Sequence, residues 1–315
     1  MIASNNDAVV EDLKTLLKSE FKIKDLGPAR FFLELEIARS SKGIFVCQRK
    51  YAMNLLEAGF LGCKPSNVPM DPNLHLTKDM GTRWTNPKSY RELIGRMFYL
   101  TITRPDITFV VHQLSQFISA PTDIHLQAAH KVLRYIKGNT CQGLMYAADT
   151  KLCINAFADA DWGACRDTRR SVSGFCSYLG HSLISWRSKK QHVASRSNIE
   201  SEYRSMAQAT CEIIWIQQLL KDLHVKVTFP AKLFCDNKSA LHIAMNPVFH
   251  ERTKHIEIDC HTVRDQLKAG TLKTFHVHSE NQHADILTKP LQPGPFYHLL
   301  QRLSLSNLYL PNQTL

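Results

Sequence analysis

The sequence predicts an α/β fold for its second half, a mixed sheet with flanking helices, preceded by a short strand-containing segment and a helical region. Three observations carry that expectation. Strand-like runs at 152–158, 172–179 and 182–188 follow one another, with Gly180-His181 as a tight turn between the last two. Helical and strand-like patterns then alternate, the order that yields a sheet with crossover helices. Four acidic residues stand where these elements end or begin: Asp159, Glu202, Asp236 and Asp285.

Taken from the start, Val9, Leu13, Leu16 and Leu17 keep helical spacing in a segment that closes at Gly27. Two β-like runs, Arg30 to Ala38 and Gly43 to Gln48, flank the turn-like Ser40-Ser41-Lys42-Gly43. A helix from Lys50 to Ala58 stops at Gly59, and Pro65, Pro69, Pro72 and Pro87 mark 64–88 as a connecting segment. Three helices are expected next. The first carries Tyr90, Leu93, Ile94, Met97 and Phe98. The second starts at Pro105, a position helices accept, and carries Ile107, Val110, Val111, Leu114 and Ile118. The third carries Leu126, Ala129, Leu133 and Ile136 and ends at Gly138. Such stripes are faces that pack into a core. After the three strands come a helix from Asn198 to His224, a strand at 231–235 and helices at 237–245 and 256–269. A strand from Thr271 to Val277 and a short helix at Asp285 finish the unit.

The 315 residues are 44% apolar, enough for two or more cores. No apolar run approaches the roughly eighteen residues of a membrane span, and the first residues lack the pattern of a secretory signal. Nine cysteines without a C-x-x-C pair read as reduced thiols of an intracellular protein, cytoplasmic or nuclear. Formal net charge of +11 favours a polyanionic partner, most simply nucleic acid.

Asp159 closes the apolar run Cys153 to Ala158, and Asp236 closes Leu233-Phe234-Cys235. Glu202 opens a long helical pattern, and Asp285 follows the last strand. Strand ends and helix starts at one edge of an α/β sheet converge. Carboxylates gathered there repel one another unless a divalent cation neutralises them, and oxygen ligands suit Mg2+ or Mn2+. Asp161 competes with Asp159, since residues two apart share a strand face, and Glu200 competes with Glu202. Zinc is disfavoured because His250, His255 and His261 have no cysteine partner or second close pair.

The blocks Ala158-Asp159-Ala160-Asp161-Trp162-Gly163, Arg169 to Gly174, Ile184 to Gln191 and Glu200-Ser201-Glu202-Tyr203 closely resemble the ribonuclease H domain of copia-type retrotransposon Pol polyproteins. So do Cys235 to Ala240, Arg252-Thr253-Lys254-His255-Ile256 and Ala284 to Pro290. Phe21 to Gly27, Gln48 to Tyr51 and Val68-Pro69-Met70 resemble the end of that family's reverse transcriptase palm and the approach to its thumb. Tyr90 to Gly95 and Thr103 to Ile107 resemble its connecting region. One departure is Glu34, where the family usually has glycine.

The resemblance implies a ribonuclease H-like mixed five-stranded sheet at 149–292. Before it stand a palm and thumb remnant at 1–75 and a helical connection at 76–148; a tail at 293–315 follows. It selects Asp159 and Glu202 over their neighbours and makes Asp159, Glu202, Asp236 and Asp285 the catalytic, metal-binding carboxylates. The implied activity is two-metal hydrolysis of the RNA strand of an RNA–DNA hybrid. Arg187, Lys189 and Lys190 are the expected phosphate contacts, and His278, ahead of His276 and His283, is the candidate for product release. The family's polymerase aspartates precede the segment that begins at Met1, so DNA synthesis by this chain alone is not expected. Its partners would be the hybrid and the missing reverse transcriptase portion or other polyprotein products, with no membrane. The alternative is an inactive nucleic-acid-binding relic of a truncated element. An integrase is disfavoured because its glutamate generally comes last in the acid order.

Overall fold

A computed structural model describes residues 2, 4, 6–57, 59–246 and 257–307. Helix α1 (Asp7–Glu20) is capped by Asn6, whose side chain accepts from the Ala8 amide, and it buries none of its residues. The strand-like run expected from Arg30 to Ala38 is broken into β1 (Phe31–Phe32) and β2 (Leu35–Ser40). Leu33 and Glu34 form the two-residue loop between them, with φ of 48° and 60°. Positive φ at both loop positions is the backbone of a type I′ hairpin, whose twist matches that of its strands. Strand β3 (Gly43–Cys47) returns along β2 after the expected turn, and α2 (Arg49–Leu56) follows.

Helix α3 (Pro87–Leu100) starts under an Asn86 cap, with Pro87 in its first turn. A 3-10 turn (Pro105–Ile107) leads into α4 (Thr108–Ser115), so the expected second helix begins as a tighter coil. Helix α5 (Asp123–Gly138) opens with a capping box between Thr122 and His125. Inside this bundle lies a fully buried ion pair. Arg104 Nη2 is 2.7 Å from Asp106 Oδ2, Nη1 donates to the Asn139 carbonyl at 2.9 Å, and the Tyr135 hydroxyl donates to Asp106 at 2.7 Å. Such a pair is tolerated because these hydrogen bonds replace the lost hydration.

Strand β4 (Gln142–Ala147) was not expected from the sequence; it pairs antiparallel with β3, Val46 opposite Leu144. Next come β5 (Cys153–Asp161), β6 (Val172–Leu179), β7 (Ser182–Lys190), α6 (Asn198–Asp222) and β8 (Thr228–Cys235). Helices α7 (Lys238–Met245) and α8 (Glu257–Lys268) and strand β9 (Leu272–His276) complete that sheet. Two 3-10 turns, Ser279–Asn281 and His283–Leu287, lead to α9 (Pro293–Leu300) and β10 (Leu305–Asn307). The expected tail from 293 is therefore corrected as far as 307: Phe296 and Leu299 of α9 are buried, and β10 pairs with β4. Burial of Phe296 and Leu299 anchors this stretch to the core.

The strands form two sheets, β1-β2-β3-β4-β10, antiparallel throughout, and β7-β6-β5-β8-β9. In the second sheet β7, β6 and β5 are antiparallel while β8 and β9 run parallel to β5. That is the mixed sheet the sequence predicts. One face packs Ile154, Ala156 and Ala158 against Tyr203, Met206 and Ile213 of α6. The other face sends Val172, Cys176, Tyr178 and Leu183 into a core shared with α2 to α5 and α9. Helices of the first half thus cover the second sheet. No helix among the described residues is long and apolar enough to cross a membrane.

Candidate functional site

Alternation along β5 decides where Asp159 goes. Ile154, Ala156 and Ala158 face α6, so Asp159 projects to the opposite face, where it is fully buried. The second 3-10 turn crosses that face. Thr288 Oγ donates to Asp159 Oδ2, and Lys289 Nζ lies 3.3 Å from Asp159 Oδ1 and 2.9 Å from Asp285 Oδ1. The turn is anchored by Gln282, itself fully buried, which donates to the Ala158 carbonyl at 2.9 Å. From the helix side, Glu202 sits near the start of α6, whose Ser205 hydroxyl donates to the Gly174 carbonyl at 3.0 Å. Asp236 follows the last residue of β8, and Ser279 Oγ donates to its Oδ2 at 2.7 Å.

The four predicted carboxylates thus meet at one sheet edge, in two pairs. Ligand atoms of Glu202, Cys235 and Asp236 all lie within 4.8 Å of one another, close enough to share one cation. Asp159 and Asp285 are instead joined by the Lys289 ammonium. Burial, with the charges of Asp159 and Asp236 adding to it, pushes Glu202 up to about 10. Burial and then Asp159 push Asp285 up to about 7. Asp159 is raised by burial as well, with Lys289 opposing. Burial would lower Lys289, but Asp159 and Asp285 outweigh it and keep it protonated. Buried carboxylates that resist ionisation are what a divalent cation would relieve, and the mainly oxygen donor set fits Mg2+ or Mn2+.

Of the two competing acids, Glu200 is engaged elsewhere, whereas Asp161 lies near enough to feel the charges of Lys289 and Asp159. Glu200 accepts from the Arg196 amide at 2.8 Å and pairs with Arg204 at 2.9 Å. Asp161 shares the Asp159 face, as strand alternation requires, and burial pushes it up to about 6. It makes none of the direct contacts that tie Asp159 to the turn.

The basic residues do not gather at one point. Arg187 and Lys189, two apart on β7, lie within electrostatic reach of His112 on α4; burial, with their charges adding, pushes that histidine down to about 4. Lys190 Nζ reaches Cys165 Sγ, 3.7 Å away, on the loop after β5. His278 is exposed, precedes the Ser279 that holds Asp236, and meets His276 edge-on at 5.4 Å. His283 is structural. It stacks on Phe157 at 3.9 Å and faces the Tyr178 hydroxyl at 3.2 Å, and burial pushes it down to about 4. Arg252 to Ile256, with His250 and His255, lie outside the described residues.

Sequence reasoning did not single out Gln282, Ser279, Thr288 or Lys289. The last two stood inside a quoted motif, and Lys289 sits four residues after Asp285, the spacing of a helical ion pair. That spacing was the available signal.

A β7-β6-β5-β8-β9 sheet with acids at the ends of β5 and β8 is a ribonuclease H-like α/β unit, here packed on a bundle and a second sheet. The family described as "Reverse transcriptase (RNA-dependent DNA polymerase)" matches residues 1–72. A retrovirus-related Pol polyprotein from transposon RE1 of Arabidopsis thaliana is 38% identical over 309 residues, covering 98% of this chain and 21% of that polyprotein. An uncharacterized mitochondrial protein of the same plant is 39% identical over 217 residues, 68% of this chain and 90% of that protein. The chain belongs to the copia-type retrotransposon Pol polyproteins. It spans about a fifth of the RE1 polyprotein's length. Among solved structures, the N-terminal RNase H domain of Rv2228c from Mycobacterium tuberculosis, fused to maltose binding protein, matches at 13% identity. Its TM-score is 0.33, with 49% of this chain and 98% of that one covered.

Proposed function

We propose that this Pol segment cleaves the RNA strand of an RNA–DNA hybrid, using Asp159, Glu202, Asp236 and Asp285 to hold Mg2+ or Mn2+. The observation that carries the reading is the meeting of all four carboxylates at one sheet edge, with Glu202 and Asp236 already within ligand range of each other. Divalent cations held by these carboxylates would supply an activated water and neutralise the leaving 3′ oxygen. The protein's own part is to fix the ligands. Thr288 orients Asp159, Ser279 orients Asp236, and Gln282 ties the turn carrying Asp285 to β5.

Hybrid recognition in this reading goes through backbone shape and 2′-hydroxyls rather than sequence. The excess positive charge of the chain, with Arg187, Lys189 and Lys190 on β7, supplies phosphate contacts. His278, exposed beside the loop that holds Asp236, assists product release. We assign 149–292 to the ribonuclease unit, 1–75 to the end of the reverse transcriptase and 76–148 to the connection between them, in an intracellular protein. The exposed apolar residues of α1, Val9, Leu13 and Leu16, fit a further reverse transcriptase portion as partner.

The test is cleavage of a labelled RNA–DNA hybrid in Mg2+. Expected is endonucleolytic cutting of the RNA strand, abolished by Asp236→Asn. No cleavage, or cleavage that survives Asp236→Asn, overturns the reading and leaves a nucleic-acid-binding relic.

A further inference from the structure

We infer that Lys289 is an internal counter-cation that occupies the Asp159–Asp285 half of the carboxylate cluster and yields it when a divalent cation binds there. The inference rests on the metal-site reading above and adds a residue that competes with the metal. Its basis is geometric. Lys289 Nζ stands 3.3 Å from Asp159 Oδ1 and 2.9 Å from Asp285 Oδ1, so one ammonium bridges two carboxylates that come from different elements. The side chain is one-third exposed, which leaves it a path outward. Glu202 and Asp236, by contrast, form no ion pair among the described residues: the Lys289 charge reaches both through space, but their direct contacts are the Cys235 thiol, 4.0 Å from Glu202, and the Ser279 hydroxyl on Asp236.

This asymmetry assigns an order. A first cation meets no directly paired ammonium at Glu202 and Asp236. A second must take the oxygens of Asp159 and Asp285 from Lys289, and the like charges then drive the ammonium outward. Lysine suits such a role because its charge sits on a flexible stem with freely rotating donors. In the metal-free protein the same ammonium offsets repulsion between Asp159 and Asp285. By linkage, whatever Lys289 contributes to the metal-free cluster is subtracted from the affinity of the second cation.

The probe is Mn2+ alone, measured by calorimetry and by thermal unfolding in metal and in chelator. Lys289→Met is expected to tighten the weaker Mn2+ event by about tenfold, within the usual range of coupling between competing ligands. It should also lower the unfolding temperature in chelator and enlarge the rise that Mn2+ produces. Lys289→Arg, which keeps the charge, should stay close to the wild type. Weaker or unchanged affinity in Lys289→Met, with no larger metal-induced rise, overturns the inference. A second measurement needs no variant: Mn2+ should raise acetylation of Lys289 by an amine-reactive ester several-fold, read by mass spectrometry. Labelling unchanged or lowered by Mn2+ would equally overturn it. If the wild-type chain binds no Mn2+ at all, the metal-site reading fails and this inference with it. Binding that ignores Lys289 sinks only the inference.

Discussion

Gly174 of β6 lies directly under Thr288: a Cβ at Gly174 would stand 2.6 Å from Thr288 Cγ2 and 2.9 Å from Leu287 Cβ. Gly174 is also the partner of Asp159 across the β5–β6 ladder. The missing side chain therefore lets the 3-10 turn descend onto the sheet, which brings Thr288 and Lys289 to Asp159. Gly174→Ala is predicted to destabilise by about 1–3 kcal/mol, the usual cost of overpacking. Because the displaced atoms belong to the carboxylate cluster, Mn2+ affinity should fall as well. Urea unfolding and calorimetry check both, and unchanged metal affinity would show that the turn reaches Asp159 without this approach.

Asp106 is the only acidic partner of Arg104 among the described residues, and both side chains are buried. Removing one charge leaves the other stranded, which costs about 3–5 kcal/mol. Asp106→Ala is expected to lose that much in equilibrium unfolding. Tyr135→Phe, which removes one hydrogen bond to Asp106 but leaves the pair intact, should lose only about 1 kcal/mol. Equal losses in the two variants would mean that the charge pair itself matters little.

Glu34 occupies the second position of a two-residue hairpin at φ 60°, and its Oε2 is buried without a hydrogen-bond partner. A left-handed conformation costs a residue with a Cβ roughly 1–2 kcal/mol, a penalty glycine escapes. Glu34→Gly should therefore stabilise the chain by about 1 kcal/mol, seen as a raised urea midpoint. A lowered midpoint would mean that the glutamate side chain contributes more than its backbone loses.

Glu34 also shows what could be read from the chain. Its departure from the family's glycine was visible in the sequence, and the structure supplies the reason glycine suits that place. The four carboxylates were legible because each closes or opens a patterned run, so local periodicity fixed its place in an element. Strand β4 was not, since Gln142 to Ala147 becomes a strand by pairing with β3, a partner about a hundred residues away in the chain. Lys289 was not singled out in the sequence. Its engagement with Asp159 depends on the close approach at Gly174, which no local pattern records.

The second sheet does not cover both of its own faces. Val172, Cys176, Tyr178 and Leu183 lie in the core shared with α2 to α5, and the Tyr178 hydroxyl donates to the Arg302 carbonyl at 3.1 Å, outside residues 149–292. A chain cut to 149–292 exposes this apolar face. Such a fragment is predicted to self-associate, or to bind a hydrophobic dye, more strongly than the full chain at equal concentration. A monomeric, cooperatively unfolding 149–292 fragment would show instead that the shared core is dispensable.

The acid side of the stability profile follows from His283. Burial, then the charges of Arg302 and His298, push its ring down to about 4, whereas an unfolded histidine titrates near 6.5. Between those values the unfolded chain binds a proton that the folded one refuses, so stability falls as pH falls. The contribution of the neutral ring is intact above about pH 6.5 and declines toward pH 4. His112 acts in the same direction, pushed down to about 4 by burial, Arg187 and Lys189. The raised carboxyls of Glu202 and Asp285 act oppositely, because their folded forms hold protons that the unfolded chain releases as pH rises. Comparing wild type with His283→Phe isolates the histidine, since the carboxyl contributions cancel in the difference. His283→Phe keeps an aromatic ring on Phe157 and gives up the Tyr178 contact, a loss that is constant with pH. The variant is therefore expected to start less stable at pH 7 and to close the gap as pH drops toward 4. Parallel urea midpoints for the two proteins across that window would refute the assignment of His283 as a neutral, buried ring.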